Sequence, residues 1–303
     1  MSRFAHRILL FLIPLSFVLY AKSAWAWGPV AHLYFGLGVL SRLEEVSDLF
    51  RALLASQPLP FLYGSIGADI FLMKKLGRSK THSHNWANAL RLVQEARSPR
   101  VRSFALGYVS HLAADTISHN CFVPSKTVES YASGISRHIS WELMFDRRLA
   151  DREVIRVLRE VSKEEFSDCD AHLAERVPTR ILDFSFNREV FRRILSIQTL
   201  DRWNSLWNRV GRKGWLRLQD REVGEYKDRS IAAVLSCLNP QSDSQVLTLD
   251  PVGRQRLRAA RKLRRNYRRQ LRKNDPPRTA RVLEAAECFA REPFHVIRPD
   301  DHR

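Results

Sequence analysis

Three side chains able to bind metal recur at four-residue intervals in His111-Leu-Ala-Ala-Asp115-Thr-Ile-Ser-His119, so an uninterrupted α-helix would project all three from one face. Two imidazoles and a carboxylate are nitrogen and oxygen donors of the kind Zn²⁺ accepts. A second pair, His138-Ile-Ser-Trp-Glu142, repeats the spacing further along the chain. Either motif alone could be an ordinary helix-surface pair; together they point to a cluster. The placement of histidine agrees: of the ten in the chain, six stand at residue 32 or between residues 82 and 138, and beyond His138 only His172, His295 and His302 remain.

The N-terminus adds a further donor. Arg3 and Arg7 precede a 13-residue apolar run from Ile8 to Tyr20, interrupted by Pro14 and followed by Ala24-Trp25-Ala26. The run is short for a permanent membrane helix and ends in a small-x-small site, which predicts a signal peptide over residues 1–26, cleaved after Ala26, and a periplasmic or secreted protein. Trp27 would then carry a free α-amino group, which chelates a metal together with its own carbonyl. His32 follows five residues later.

These motifs, taken in order, resemble the zinc-dependent phospholipase C family, which shares a trinuclear zinc architecture with the single-strand-specific zinc nucleases. The resemblance covers residues 27 to about 150 and implies ligands at Trp27, His32, Asp69 in Gly64-Ser-Ile-Gly-Ala-Asp69, His111, Asp115, His119, His138 and Glu142. One more histidine comes from Thr81-His82-Ser-His84-Asn-Trp86. There the family pattern favours His82, four residues before an aromatic, and leaves His84 as the alternative, otherwise a surface or supporting residue. The resemblance further implies two to three Zn²⁺, with Asp69, His82, His111 and Asp115 on one ion and Asp115 bridging to a second that takes Trp27 and His32. His119, His138 and Glu142 would hold the third. Where relatives carry Pro-Asp this chain has Ala68-Asp69, and the four-residue step from Asp115 to His119 is like that of relatives directed at glycosylphosphatidylinositol.

Such a site suits phosphodiesters. Bound Zn²⁺ lowers the pKa of water to about 7, and paired metals clamp the attacking and leaving oxygens. The carboxylates Asp69, Asp115 and Glu142 offset only part of the metals' charge, so an anionic substrate is still attracted. Asp69 is the residue that the resemblance places at the attacking water, as its orienter or proton acceptor. Phospholipid is the substrate the resemblance implies; single-stranded nucleic acid is the alternative, and a zinc-binding homologue without turnover a third possibility. No protein partner is evident.

Apolar residues spaced three and four apart predict helices over 30–46, 85–97, 101–119, 136–160, 188–210 and 223–237, with no sustained alternation of the strand kind. The expected fold is therefore all-α, a helical bundle around a two- to three-zinc cluster. Pro58, Pro60, Gly64 and Gly67 predict a loop leading to Asp69. Cys121, Cys169, Cys237 and Cys288 fit no zinc-ribbon spacing and permit, without requiring, two disulfides.

The domain organisation expected is a helical zinc domain over 27–238 and a basic helical extension over 239–303. Formal net charge is +18, and residues 254–273 alone hold eleven Arg or Lys and no acid. Leu257, Ala260, Leu263, Tyr267 and Leu271 form a narrow apolar stripe on that helix. Such a helix could lie on an anionic membrane surface, attract nucleic acid, or dock by its stripe against the protein itself.

Overall fold

In the computed structural model, residues 27–71, 83–133, 138–177, 183–198, 218–239 and 244–291 are described, and every extended element among them is helical. In chain order the α-helices are α1 (Pro29–Leu40), α2 (Asp48–Ser56), α3 (Pro58–Gly67), α4 (Trp86–Gln94), α5 (Pro99–Ile117), α6 (Val123–Glu129), α7 (His138–Leu149), α8 (Arg152–Lys163), α9 (Ser167–Arg176), α10 (Phe184–Gln198), α11 (Asp220–Cys237), α12 (Arg254–Arg272) and α13 (Thr279–Arg291).

Helix α5 is the axis of the bundle. Ser98 caps it by accepting from the Val101 N–H at 3.2 Å, and Pro99 opens its first turn, where a missing N–H costs nothing. From Ser103 to Ile117 every residue is buried, including Ser103, Ser110, His111, Asp115 and Thr116. A helix apolar on all sides belongs in a core, and the polar groups embedded in this one call for partners.

Against α5 lies α3, where the sequence predicts a loop. The prolines at 58 and 60 fall in the first turn of a helix, which tolerates them. The glycines serve contact: a Cβ on Gly64 would stand 1.9 Å from the Phe104 carbonyl oxygen, and one on Gly107 would stand 2.0 Å from that of Phe61. The two backbones touch where side chains are absent, and Asp69 follows directly in a 3-10 turn, Ala68–Ile70.

Other boundaries move for local reasons. Helix α5 passes at Ser118 into a π-helical turn, Ser118–Phe122, so His119 leaves the α-helical register shared by His111 and Asp115. The expected 136–160 helix divides where Asp151 caps α8, its carboxylate accepting from the Val154 N–H at 2.8 Å. The four cysteines are free thiols.

The C-terminal segment packs on the bundle. Leu257 joins the main core, while Ala260 and Tyr267 form a second one with Val128, Val282, Ala286 and Phe289. Two of the cations on α12 are buried as well: Arg256 donates to the carbonyls of Asn120 and Phe289, each at 2.8 Å, and Arg264 to that of Ser133 at 2.9 Å. The apolar stripe of the basic helix is thus mostly used inside the protein; only Leu271, near its end, is exposed. Among the described residues no helix is long and apolar enough to cross a membrane.

Candidate metal centre

Five side chains from separate parts of the bundle converge beside α5. His111 and Asp115 come from α5, His32 from α1, Asp69 from the turn after α3, and His84 from the residues just before α4; all five are nearly or fully buried. His84 Nε2 lies 3.1 Å from Asp115 Oδ2, 3.6 Å from Asp69 Oδ1 and 3.0 Å from His111 Nε2. His111 Nε2 in turn lies 3.3 Å from Asp115 Oδ2 and 3.8 Å from Asp69 Oδ1. The other oxygen of Asp115 faces His32 Nε2 at 3.2 Å.

The far sides of the rings fix the near ones. His111 Nδ1 is 2.9 Å from the Ser65 carbonyl oxygen, which can only accept, so this nitrogen carries the proton and Nε2 presents a lone pair. That lone pair points toward His84 Nε2 and two carboxylate oxygens. A cation shared by these atoms would satisfy the lone pair and the carboxylate oxygens together. Neither buried oxygen of Asp115 has a hydrogen bond, although three imidazole nitrogens stand within 3.3 Å. Four donors around one zinc, at bonds of 2.0–2.1 Å, would be separated by roughly 3.3 Å. The separations of His84 and His111 from each other, from Asp69 and from Asp115, 3.0 to 3.8 Å, bracket that length. The donor set therefore fits zinc.

Protonation agrees with this fit. Burial, aided by the stacked His111 ring 3.8 Å away, pushes His32 down to about 4, so it is a neutral nitrogen donor near pH 7. Burial likewise pushes His119 down to about 4. Burial by itself would raise Asp115, but His111, His32 and His84 around it hold its carboxyl well below the usual range.

Supporting contacts set each ligand's place. The Tyr108 hydroxyl donates to the Ser83 carbonyl at 2.6 Å, Ser83 Oγ meets His84 Nδ1 at 3.0 Å, and Asn85 caps α4 by accepting from the Ala87 N–H at 2.8 Å. Trp27 is wholly buried against Phe122 and Phe145, and its indole N–H donates to the Ala114 carbonyl at 3.0 Å, one residue from Asp115. Asp146 accepts from the Ala31 and Val30 N–H groups at 3.1 and 3.4 Å, tying the start of α1 to α7.

Among the sequence-predicted residues, His32, Asp69, His111 and Asp115 are brought together, with Trp27 alongside. His84, expected at the surface or in support, instead has its Nε2 among the carboxylates; His82 lies outside the described residues, as do residues 1–26. His119 and Glu142 are buried, yet neither belongs to the two described groups whose donor atoms lie within 4.8 Å of one another, His32–Asp69–His111 and His84–His111–Asp115. The side chain of His138 lies outside the described residues. Sequence reasoning missed the carbonyls of Ser65 and Val252 and the hydroxyl of Tyr108. Backbone acceptors leave no mark in a sequence. Asp146 did leave one, four residues after Glu142 on the same helix.

No curated protein and no solved structure matches the chain. A family model described as zinc dependent phospholipase C matches residues 31–192. That span includes His32, Asp69, His84, His111, Asp115, His119 and Glu142, more than half of the chain lies within it, and the donor geometry it encloses is sized for zinc: the protein belongs to the zinc-dependent phospholipase C family.

Proposed function

We propose that the protein is a secreted or periplasmic hydrolase that cleaves phosphodiester bonds of phospholipids at a centre of two to three zinc ions. The observation that carries the reading is the approach of His84 and His111 to both Asp69 and Asp115, with Asp115 turned also toward His32. When bound, zinc supplies hydroxide near neutral pH and neutralises charge on the phosphoryl oxygens. Asp69 orients the attacking water or takes its proton. His32 and the amino terminus at Trp27, exposed by cleavage after Ala26, complete the second ion's ligands; His119, His138 and Glu142 provide a third.

The cationic face of α12 supports an anionic partner. Arg258, Arg261, Lys262, Arg265, Arg269 and Arg272 are exposed and have no ion pair among the described residues. With the apolar stripe mostly buried, their attraction to an anionic membrane would be electrostatic, and nucleic acid would answer the same charge. The test is turnover of the zinc-loaded protein on a panel of phospholipids and single-stranded DNA, with Asp69→Asn as control. Phospholipid cleavage that disappears in the control supports the reading. Cleavage of DNA alone, or of neither, overturns it.

A further inference from the structure

Residues 249–253 lie beyond the family match, yet their backbone carbonyls meet the turn that carries His119 and the start of α4. The Val252 carbonyl accepts from His119 Nδ1 at 2.9 Å, the Asp250 carbonyl from Asn120 Nδ2 at 3.0 Å, and the Leu249 carbonyl from the Trp86 indole at 2.9 Å. Trp86 stands two residues after His84, so the same segment also anchors the chain next to that histidine. Gly253 has φ +57°, and a Cβ there would lie 2.3 Å from the His119 carbonyl oxygen. The segment has an internal staple: the Asp250 carboxylate accepts from the Val252 and Arg254 N–H groups, each at 3.1 Å. From the start of α12, Arg256 reaches back to the Asn120 carbonyl at 2.8 Å.

These contacts all fall on the π-helical turn or on the entry to α4. In a π turn the backbone departs from the α-helical ladder, which frees carbonyls such as that of Asn120 for outside donors. A carbonyl oxygen can only accept, so Val252 fixes the His119 proton on Nδ1 and leaves Nε2 as the donor nitrogen. We propose that Leu249–Gly253 is a positioning strap that sets the tautomer and orientation of His119 for metal binding, making the C-terminal segment part of the functional site. Val252 acts through His119 and does not touch substrate; it is a positioning residue. The inference rests on the zinc reading above for its consequence, and on geometry alone for the tautomer.

Two measurements test it. In ¹⁵N-edited NMR of the metal-free full chain, His119 should be protonated at Nδ1 near neutral pH; protonation at Nε2 would overturn the proposal whether or not the protein binds zinc. In chelator competition, Gly253→Ala and Asp250→Ala should each weaken one class of zinc site by about 10- to 100-fold, the range typical of lost supporting contacts to a ligand histidine. The other sites, and the near-ultraviolet circular dichroism spectrum, should stay unchanged. Asp250→Asn keeps one acceptor oxygen and should recover part of the affinity, a rescue that loss of fold would not give. Folded variants with zinc affinities equal to wild type at every site would overturn the proposal. Absence of zinc binding by the wild-type chain would instead remove the metal reading and leave the tautomer to decide on the strap.

Discussion

Replacing Gly107 by alanine tests whether the contact between α3 and α5 builds the metal centre. The new Cβ would sit 2.0 Å from the Phe61 carbonyl oxygen and 2.8 Å from the Ser65 nitrogen, both backbone atoms in a helix that cannot swing aside. The helices would have to part by roughly 1 Å to restore van der Waals contact, and such overpacking costs about 1–3 kcal/mol. His111 is one turn further along α5, and its 2.9 Å bond to the Ser65 carbonyl would stretch beyond useful length, costing about 1 kcal/mol more. Alanine's helix propensity returns about 1 kcal/mol. The net loss of about 1–3 kcal/mol corresponds to a fall in melting temperature of roughly 2–5 °C, measurable by circular dichroism in chelator. Zinc affinity should fall as well, because Asp69 and His111 would be drawn apart. Gly64→Ala should behave alike. Gly224→Ala, also within a helix but with no atom within 4 Å of the added Cβ, should instead gain about 0.5–1 kcal/mol. If Gly107→Ala melts and binds zinc like wild type, the two helices do not position the ligands through this contact.

Three further outcomes are expected. His84→Ala should remove at least one zinc per chain by metal analysis, whereas His82→Ala should keep the wild-type stoichiometry; the opposite result would return the ligand to His82. In chelator, the pH dependence of stability should steepen in Asp146→Asn. His32 and His119, lowered from 6.5 to about 4, contribute stability that is full above 6.5 and lost as pH falls toward 4. Asp146, which burial pushes up to about 7, opposes this: between 3.8 and about 7 its folded form binds the extra proton, so falling pH favours folding at that group. Removing it should add up to about 1.4 kcal/mol per pH unit to the slope across pH 5–6 in urea titrations, and an unaltered slope would refute the assignment. Finally, changing Arg258, Arg261, Arg265 and Arg269 to Gln, while sparing buried Arg264, should reduce binding to anionic vesicles in sedimentation but leave turnover of a soluble monomeric phospholipid near wild type. Undiminished vesicle binding would exclude this face as the docking surface.

Much of this protein is legible in its sequence because helices and ligand pairs are local. The period of the apolar residues gives the all-α class, and the four-residue step from His111 to Asp115 places two donors on one side of a helix whatever surrounds it. His32 and Asp69 came from the order of motifs along the chain, a family pattern. What the sequence could not decide depends on the other side of a contact. Pro58 to Gly67 reads as a loop because its glycines suggest turns, and only the Phe104 carbonyl pressed against Gly64 reveals that they serve helix packing. His82 and His84 are two residues apart in a segment without a periodic register, where the family pattern favours His82; the convergence of His84 with Asp69, His111 and Asp115 is a tertiary fact. The apolar stripe of α12 looks equally suited to lipid or to protein, and mostly packs against α6 and α13 because those helices offer Val128, Val282 and Phe289 to cover it. Most remote of all is the carbonyl of Val252, 133 residues from the histidine it orients: every residue type has a carbonyl, and only the folded chain determines which one His119 meets.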